Sequence, residues 1–171
     1  MRIVKYGLVL LLIIVGAVFL MGWRLPEAHQ AVVEREYAAA PERVYQEIAS
    51  PHEYPRWRSG VQKVEMLPQT EDRLERFREY ALGDEVTYVI EEKVPGQRFV
   101  TTIADADLPY GGSWIFEMTP SPKGTRLRIT EEGKVYNPFF RFVSRYVMGH
   151  TRGLETYHGD LEKRLAAAPT T

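Results

Sequence analysis

Cysteine is absent from the 171-residue chain. Its absence excludes disulfides, thiolate zinc sites and thiol catalysis, and leaves the redox compartment open. An excess of charge of either sign is also missing. A net charge of −1 gives no long-range attraction for nucleic acid, which is set aside as a partner. The chain has no P-loop, dinucleotide fingerprint or H-E-x-x-H sequence. The nearest approach to a nucleophile elbow, "YGGSWI" from Tyr110, lacks the second glycine at the required spacing. Neither cofactor nor metal is expected. No internal repeat or low-complexity segment appears. What is present is a hydrophobic content of 44%, enough for one domain with a core. Ten tyrosines stand among the aromatics, and an apolar ring with a polar tip suits a lined pocket as well as a core.

The first segment is separate. "YGLVLLLIIVGAVFLMGW", Tyr6 to Trp23, is an uninterrupted apolar run of bilayer-spanning length. Arg2 and Lys5 precede it, and Tyr6 and Trp23 stand where interfacial aromatics belong. A cleaved signal peptide is the competing reading. It would have a shorter apolar region and a small-x-small pair at the exit, whereas the exit here is "MGWRLPEAHQA". The expectation is an uncleaved single-pass anchor. Arg2 and Lys5 favour a cytoplasmic N-terminus, against Arg24 and Arg35 beyond the run, and place the domain outside the cytoplasm, in the periplasm. The expected division is 1–27 anchor and connector, 28–166 globular domain, 167–171 disordered tail.

"AVVEREY" reads as a first strand, with Ala31, Val33 and Tyr37 on one parity. "APERVYQEIA" reads as a helix, with Pro41 in its first turn and Val44 and Ile48 as an apolar pair. "SPHEYPRW" starts another short helical turn, Ser50 and Glu53 having capping-box spacing. Six strands follow, at Val61–Leu67, Arg73–Ala81, Glu85–Val94, Arg98–Ala104, Ser113–Thr119 and Thr125–Tyr136. "RLERFREYA" does not alternate, and its inward side cannot be read. Asn137-Pro138 then opens one long helix to Ala166. Phe139, Phe142, Val143, Tyr146, Val147, His150, Leu154, Tyr157, Leu161 and Leu165 form its apolar stripe. Hairpin-linked strands followed by one amphipathic helix predict an α+β fold, the helix lying across an antiparallel sheet.

"AAAPERVYQEIASPHEYPRWRSGV" resembles the opening of the SRPBCC superfamily, which includes START lipid-transfer domains, pollen-allergen-like plant proteins, aromatic polyketide cyclases and coenzyme-Q-binding proteins. "LPYGGSWIFEMTP" and "GTRLRITEEGKVYNPFFRFVSRYVMGHT" are similar to its bacterial polyketide cyclase/dehydrase-type branch. The resemblance spans about Gln30 to Leu165. It implies a helix-grip fold, seven curved antiparallel strands around the long C-terminal helix, with a cavity between sheet and helix. It implies a hydrophobic small molecule as partner, either bound unchanged or transformed by a cyclase, aromatase or dehydratase.

Candidate residues follow from that placement. Trp57, Trp114 and Phe116 are expected as cavity walls or as ordinary core. Phe139 and Phe142 are expected over one mouth, and Tyr146 of the same stripe as a ligand contact. Tyr110, beside Gly111-Gly112, sits on a loop that gates an opening or merely connects. His150 lies within the helix stripe, as a satisfied core imidazole or as a polar group in the cavity. Glu131 shares parity with Leu127 and Ile129 and needs a partner, Arg141, Arg145 or a tyrosine, unless it lies beyond a bend at Gly133. His150, Glu131 and Tyr110 are the candidate acid–base groups, and they join the residues above as candidate ligand contacts. Glu155 and His158 fall off the stripe and are expected in water, as are Arg56 and Arg58.

Overall fold

In the computed structural model, which describes residues 2–167, one seven-stranded sheet runs in the order β1-β7-β6-β5-β4-β3-β2. Its strands are β1 (Ala28–Tyr37), β2 (Val61–Leu67), β3 (Glu75–Ala81), β4 (Asp84–Val94), β5 (Arg98–Ile103), β6 (Tyr110–Ser121) and β7 (Gly124–Val135). All neighbours are antiparallel, and the first strand closes onto the last, Ala31 opposite Glu131. Register shifts at Val61/Lys63 and Ile90/Glu92 are bulges, which add the twist that curves a sheet.

Helix α1 (Arg2–Arg24) precedes the sheet, and α2 (Pro41–Ile48) and a 3₁₀ turn (Pro51–Arg56) lie between β1 and β2. The side chain of Ser50 caps nothing, and Glu53 pairs instead with Arg56 at 2.6 Å. The core joins α2, the sheet and the last helix. Val44, Ile48, Phe99, Leu127, Ile129, Leu154 and Leu161 are fully buried.

β3 explains its own illegibility. Phe77 and Glu79 are both buried on its inward face, so an acid occupies an apolar parity.

The C-terminal helix is not continuous. Asn137 caps α3 (Pro138–Val143) as expected, its Oδ1 accepting from the backbone N–H of Phe139 at 2.9 Å. A π turn follows over Ser144–Met148, and Gly149 adopts a positive φ of 75° that ends the run. α4 (Arg152–Ala166) then starts afresh, and its Leu154, Tyr157 and Leu161, with half-buried Leu165, carry the stripe into the core. The upstream members Phe139, Tyr146 and Val147 stand exposed.

His158 corrects another expectation. It is fully buried, bonded through Nδ1 to the Tyr37 hydroxyl at 2.6 Å and through Nε2 to the Val33 carbonyl at 3.2 Å. The stripe of α4 is wide enough to include it, because β1 packs on that flank.

α1 stands off the core with its apolar side chains exposed. Its length and composition suit a membrane span and a signal sequence alike. Its last turn meets α3 at Gly22, where a Cβ would overlap the Pro138 carbonyl. The connector is tied down by Arg141, whose guanidinium donates to the carbonyls of Val135 (2.8 Å), Tyr136 (2.7 Å) and Leu25 (3.3 Å) and pairs with Glu27 at 2.5 Å. The expected tail falls on residues that, from 168 onward, lie outside those described.

Candidate functional site

A cavity of about 700 Å³ lies between the sheet and the C-terminal segment. Its buried end is aromatic with one charged pair. Phe77, Phe116 and Tyr157 are 2–3% exposed there, with Trp114 and Tyr88 beside them. Arg58 enters this end rather than water. It pairs with Glu79 at 2.5 Å and lies over the rings of Tyr54 (4.7 Å) and Tyr157 (5.0 Å). A guanidinium is weakly hydrated and stacks on aromatic faces, so it tolerates a site that would reject a lysine. Among the described residues the buried hydroxyl of Tyr157 finds no hydrogen-bond partner of good geometry, because the Tyr54 hydroxyl beside it donates instead to the Ile48 carbonyl at 2.5 Å. Burial also pushes its ionisation well above the ordinary tyrosine range, so it stays a neutral donor.

The mouth is formed by the Tyr110-Gly111-Gly112 segment and by Phe140, Val143 and Met148. Gly112 has φ 132°, and a Cβ there would overlap the Glu132 carbonyl. The close approach of β6 and β7 at this point therefore requires glycine.

A polar cluster sits at the rim. β1 begins earlier than the hydrophobic pattern suggests, which puts His29 on the same inward parity as Ala31 and Val33. Gly133 opposite leaves room for its ring, since a Cβ there would overlap the imidazole. His29 Nε2 lies 3.4 Å from Glu131 Oε1, and its ring stacks on His150 at 3.9 Å. His150 Nδ1 in turn contacts the Ser144 hydroxyl at 3.1 Å. Burial holds Glu131 above the usual carboxylate range, with His150 partly opposing. Burial also lowers His29 and His150, and His150 is lowered further by His29 and Arg145. At neutral pH the two imidazoles are thus neutral, and Glu131 exchanges its proton nearer neutrality than an exposed acid. The pair Ser144–His150 lacks a carboxylate bonded to the imidazole, because Glu131 is turned to His29. That arrangement fits proton donation and acceptance better than nucleophilic attack. Among the described residues no group of three ligating side chains can hold a metal ion.

Of the residues expected at the site, Tyr110, Trp114, Phe116, Glu131 and His150 line this cavity. Trp57, Phe139, Phe142 and Tyr146 do not. Trp57 packs behind the lining, edge-on to Tyr54 (5.6 Å) and Tyr157 (5.3 Å). The break at Gly149 rotates the upstream stripe away: Phe142 lies tilted against Tyr146 at 5.1 Å and approaches Gly22 of α1, leaving Phe140 and Val143 at the mouth. Glu131 takes neither arginine proposed for it, since Arg141 is committed to the connector. His29, Arg58, Glu79, Tyr88 and Tyr157 were not anticipated as lining. For Glu79 a sign existed, an acid in register with Phe77; for His29 the sign was only its two-residue step from Ala31.

The family model described as polyketide cyclase / dehydrase and lipid transport matches residues 28–165. Solved structures share the architecture. The protein TTHA0849 from Thermus thermophilus is 26% identical, covering 83% of this chain and 100% of its own, with a TM-score of 0.64. A START superfamily protein from Mycobacterium smegmatis is 19% identical over 81% of this chain and 96% of its own, TM-score 0.59. The di-domain ARO/CYC StfQ of the steffimycin biosynthetic pathway is 14% identical over 80% of this chain and 51% of its own, TM-score 0.61. No curated protein matches. With the match running from the first residue of β1 almost to the end of α4, the chain belongs to the polyketide cyclase/dehydrase and lipid transport family.

Proposed function

We propose that this protein is a membrane-anchored binder of a hydrophobic small molecule, a lipid, quinone or polyketide-like compound, held between the sheet and α4. The observation that carries the reading is the cavity itself. About 700 Å³ is in the range of small-molecule sites, and its wall is mostly apolar by area, aromatic at the buried end and polar at the rim. α1, read as the anchor, keeps the domain where such molecules dissolve. At the buried end the charge of Arg58 is already matched by Glu79. The free donor there is the Tyr157 hydroxyl, which suits a neutral acceptor such as a carbonyl or hydroxyl oxygen.

Native mass spectrometry of the full chain purified in mild detergent tests the proposal. The expected result is a co-purifying apolar molecule that survives mild activation, and an empty protein that takes up none from a lipid and quinone extract would sink it. Tyr157→Phe sharpens the test. It removes a buried hydroxyl that no described residue satisfies, so the empty domain should keep its stability or gain slightly. Retention of the identified molecule should fall about tenfold, the equivalent of one hydrogen bond.

The rim cluster favours a second reading, a cyclase or dehydratase using the same cavity. His29, Glu131 and His150 lie in contact with one another and can give or take protons at one end of a bound molecule. His150→Leu separates the two. A binder should lose about tenfold in affinity at most. An enzyme should keep its affinity and lose about 10²–10⁴ in turnover. A variant unchanged in both would remove His150 from the site.

A further inference from the structure

We infer that α3 and the π turn dock on the bilayer surface, so that the mouth of the cavity opens onto lipid and not onto water. This rests on the reading of α1 as a membrane anchor, and adds to it which face of the domain meets the membrane.

The geometry begins at the end of α1. Gly22, one residue before Trp23, is pressed against Pro138 at the start of α3 so closely that no side chain would fit. A helix rises about 1.5 Å per residue, so α3 touches α1 at the level where an interfacial tryptophan would sit. The contact cannot swivel freely, because Arg141 of α3 holds the carbonyl of Leu25 and the carboxylate of Glu27. If α1 crosses a bilayer, α3 lies at its surface.

What α3 and the π turn present outward is apolar. Phe139 and Phe140 are 44% and 49% exposed, and Tyr146, Val147 and Met148 are 58%, 70% and 61% exposed. Scattered exposed apolar residues need no explanation, but a run of five on one short segment does. Two of these, Phe140 and Met148, also line the cavity. The apolar surface is therefore the lip of the mouth. Exposed Arg24, Arg145 and Arg152 stand on or beside the same segments, where they can reach lipid phosphates. A segment with aromatic and aliphatic side chains on one side and arginines beside them is the composition of a surface-lying membrane element.

The absence of cysteine makes the test simple. Single cysteines at Val147 and Phe140 (V147C and F140C), and at exposed Lys123 in the β6–β7 turn, at the end of the sheet away from the mouth, as a water-facing reference (K123C), are introduced into the full chain and spin-labelled. The protein is reconstituted into phosphatidylcholine vesicles containing phosphatidylglycerol. Retention after carbonate washing reports on α1, and accessibility to oxygen against a nickel chelate reports on each label. The expected result is carbonate-resistant protein in which labels at 140 and 147 favour oxygen, with nickel access several-fold below that at 123. Retained protein whose label at 147 is as nickel-accessible as that at 123 overturns the inference while leaving the anchor standing. Labels shielded from both reagents indicate a protein contact, such as a second copy, and also overturn it. Loss of the protein on washing removes the anchor and the inference together.

Discussion

Arg58→Met is expected to lower the stability of the domain by about 3 kcal/mol at neutral pH, the lower end of what breaking a buried ion pair costs. The lower end applies because Arg58 keeps 20% of its side chain exposed, whereas Glu79 keeps 8%. Methionine replaces most of the stem, so the loss comes from Glu79, left as a charge on a face shared with Phe77. Adding Glu79→Gln to Arg58→Met should recover at least half of the loss, since a neutral amide costs far less to bury than an unpaired carboxylate. Urea unfolding of the single and double variants at pH 7.5 decides it. A single variant as stable as the parent would mean that Glu79 is solvated by the cavity and that the pair matters little.

The same pair shows what the sequence could and could not reveal. The strands, their order and the gripping helix were legible because β-hairpins and the α4 stripe announce themselves through period and turn chemistry. β2 runs from Val61 to Leu67 as read, and β4, β5 and β7 shift by one residue at one or both ends. Burial of polar groups left no such signature. Glu79 broke the alternation of β3, and the pattern of charge and ring around it came from four separate elements that only the register brings together. His29 and Glu131 are 102 residues apart, and the space for the imidazole depends on Gly133 lying across from it. The helix break was written in Gly149, but a lone glycine in a helical pattern is often tolerated. Its effect was to exchange Phe139 and Phe142 for Phe140 and Val143 at the mouth, and Tyr146 for Met148 along the lining, shifts of one and two residues that periodicity cannot foresee.

Acid should loosen the grip of α4 on the sheet through His158. Its Nε2–H donates to the Val33 carbonyl, which leaves Nδ1 as an acceptor for the Tyr37 hydroxyl and fixes a neutral imidazole. Burial lowers its pKa to about 4 despite the Val33 bond, and Arg35 nearby adds to the lowering. In the unfolded chain the same group takes up its proton near pH 6.5. Folding is therefore undiminished by this group above pH 6.5, weakens as pH falls, and stops changing below about pH 4. A difference of that size corresponds to about 3 kcal/mol, or a midpoint lower by on the order of 10 °C for a domain of this length. His29 and His150 are also lowered by burial and act in the same direction, while Glu131, held high, acts against them. The His158 share is isolated by His158→Asn. That variant should start from a lower midpoint at pH 7.5 and lose much less of it on the way to pH 4. A variant that falls as steeply as the parent would assign the acid sensitivity to other groups and leave His158 a packed, silent imidazole.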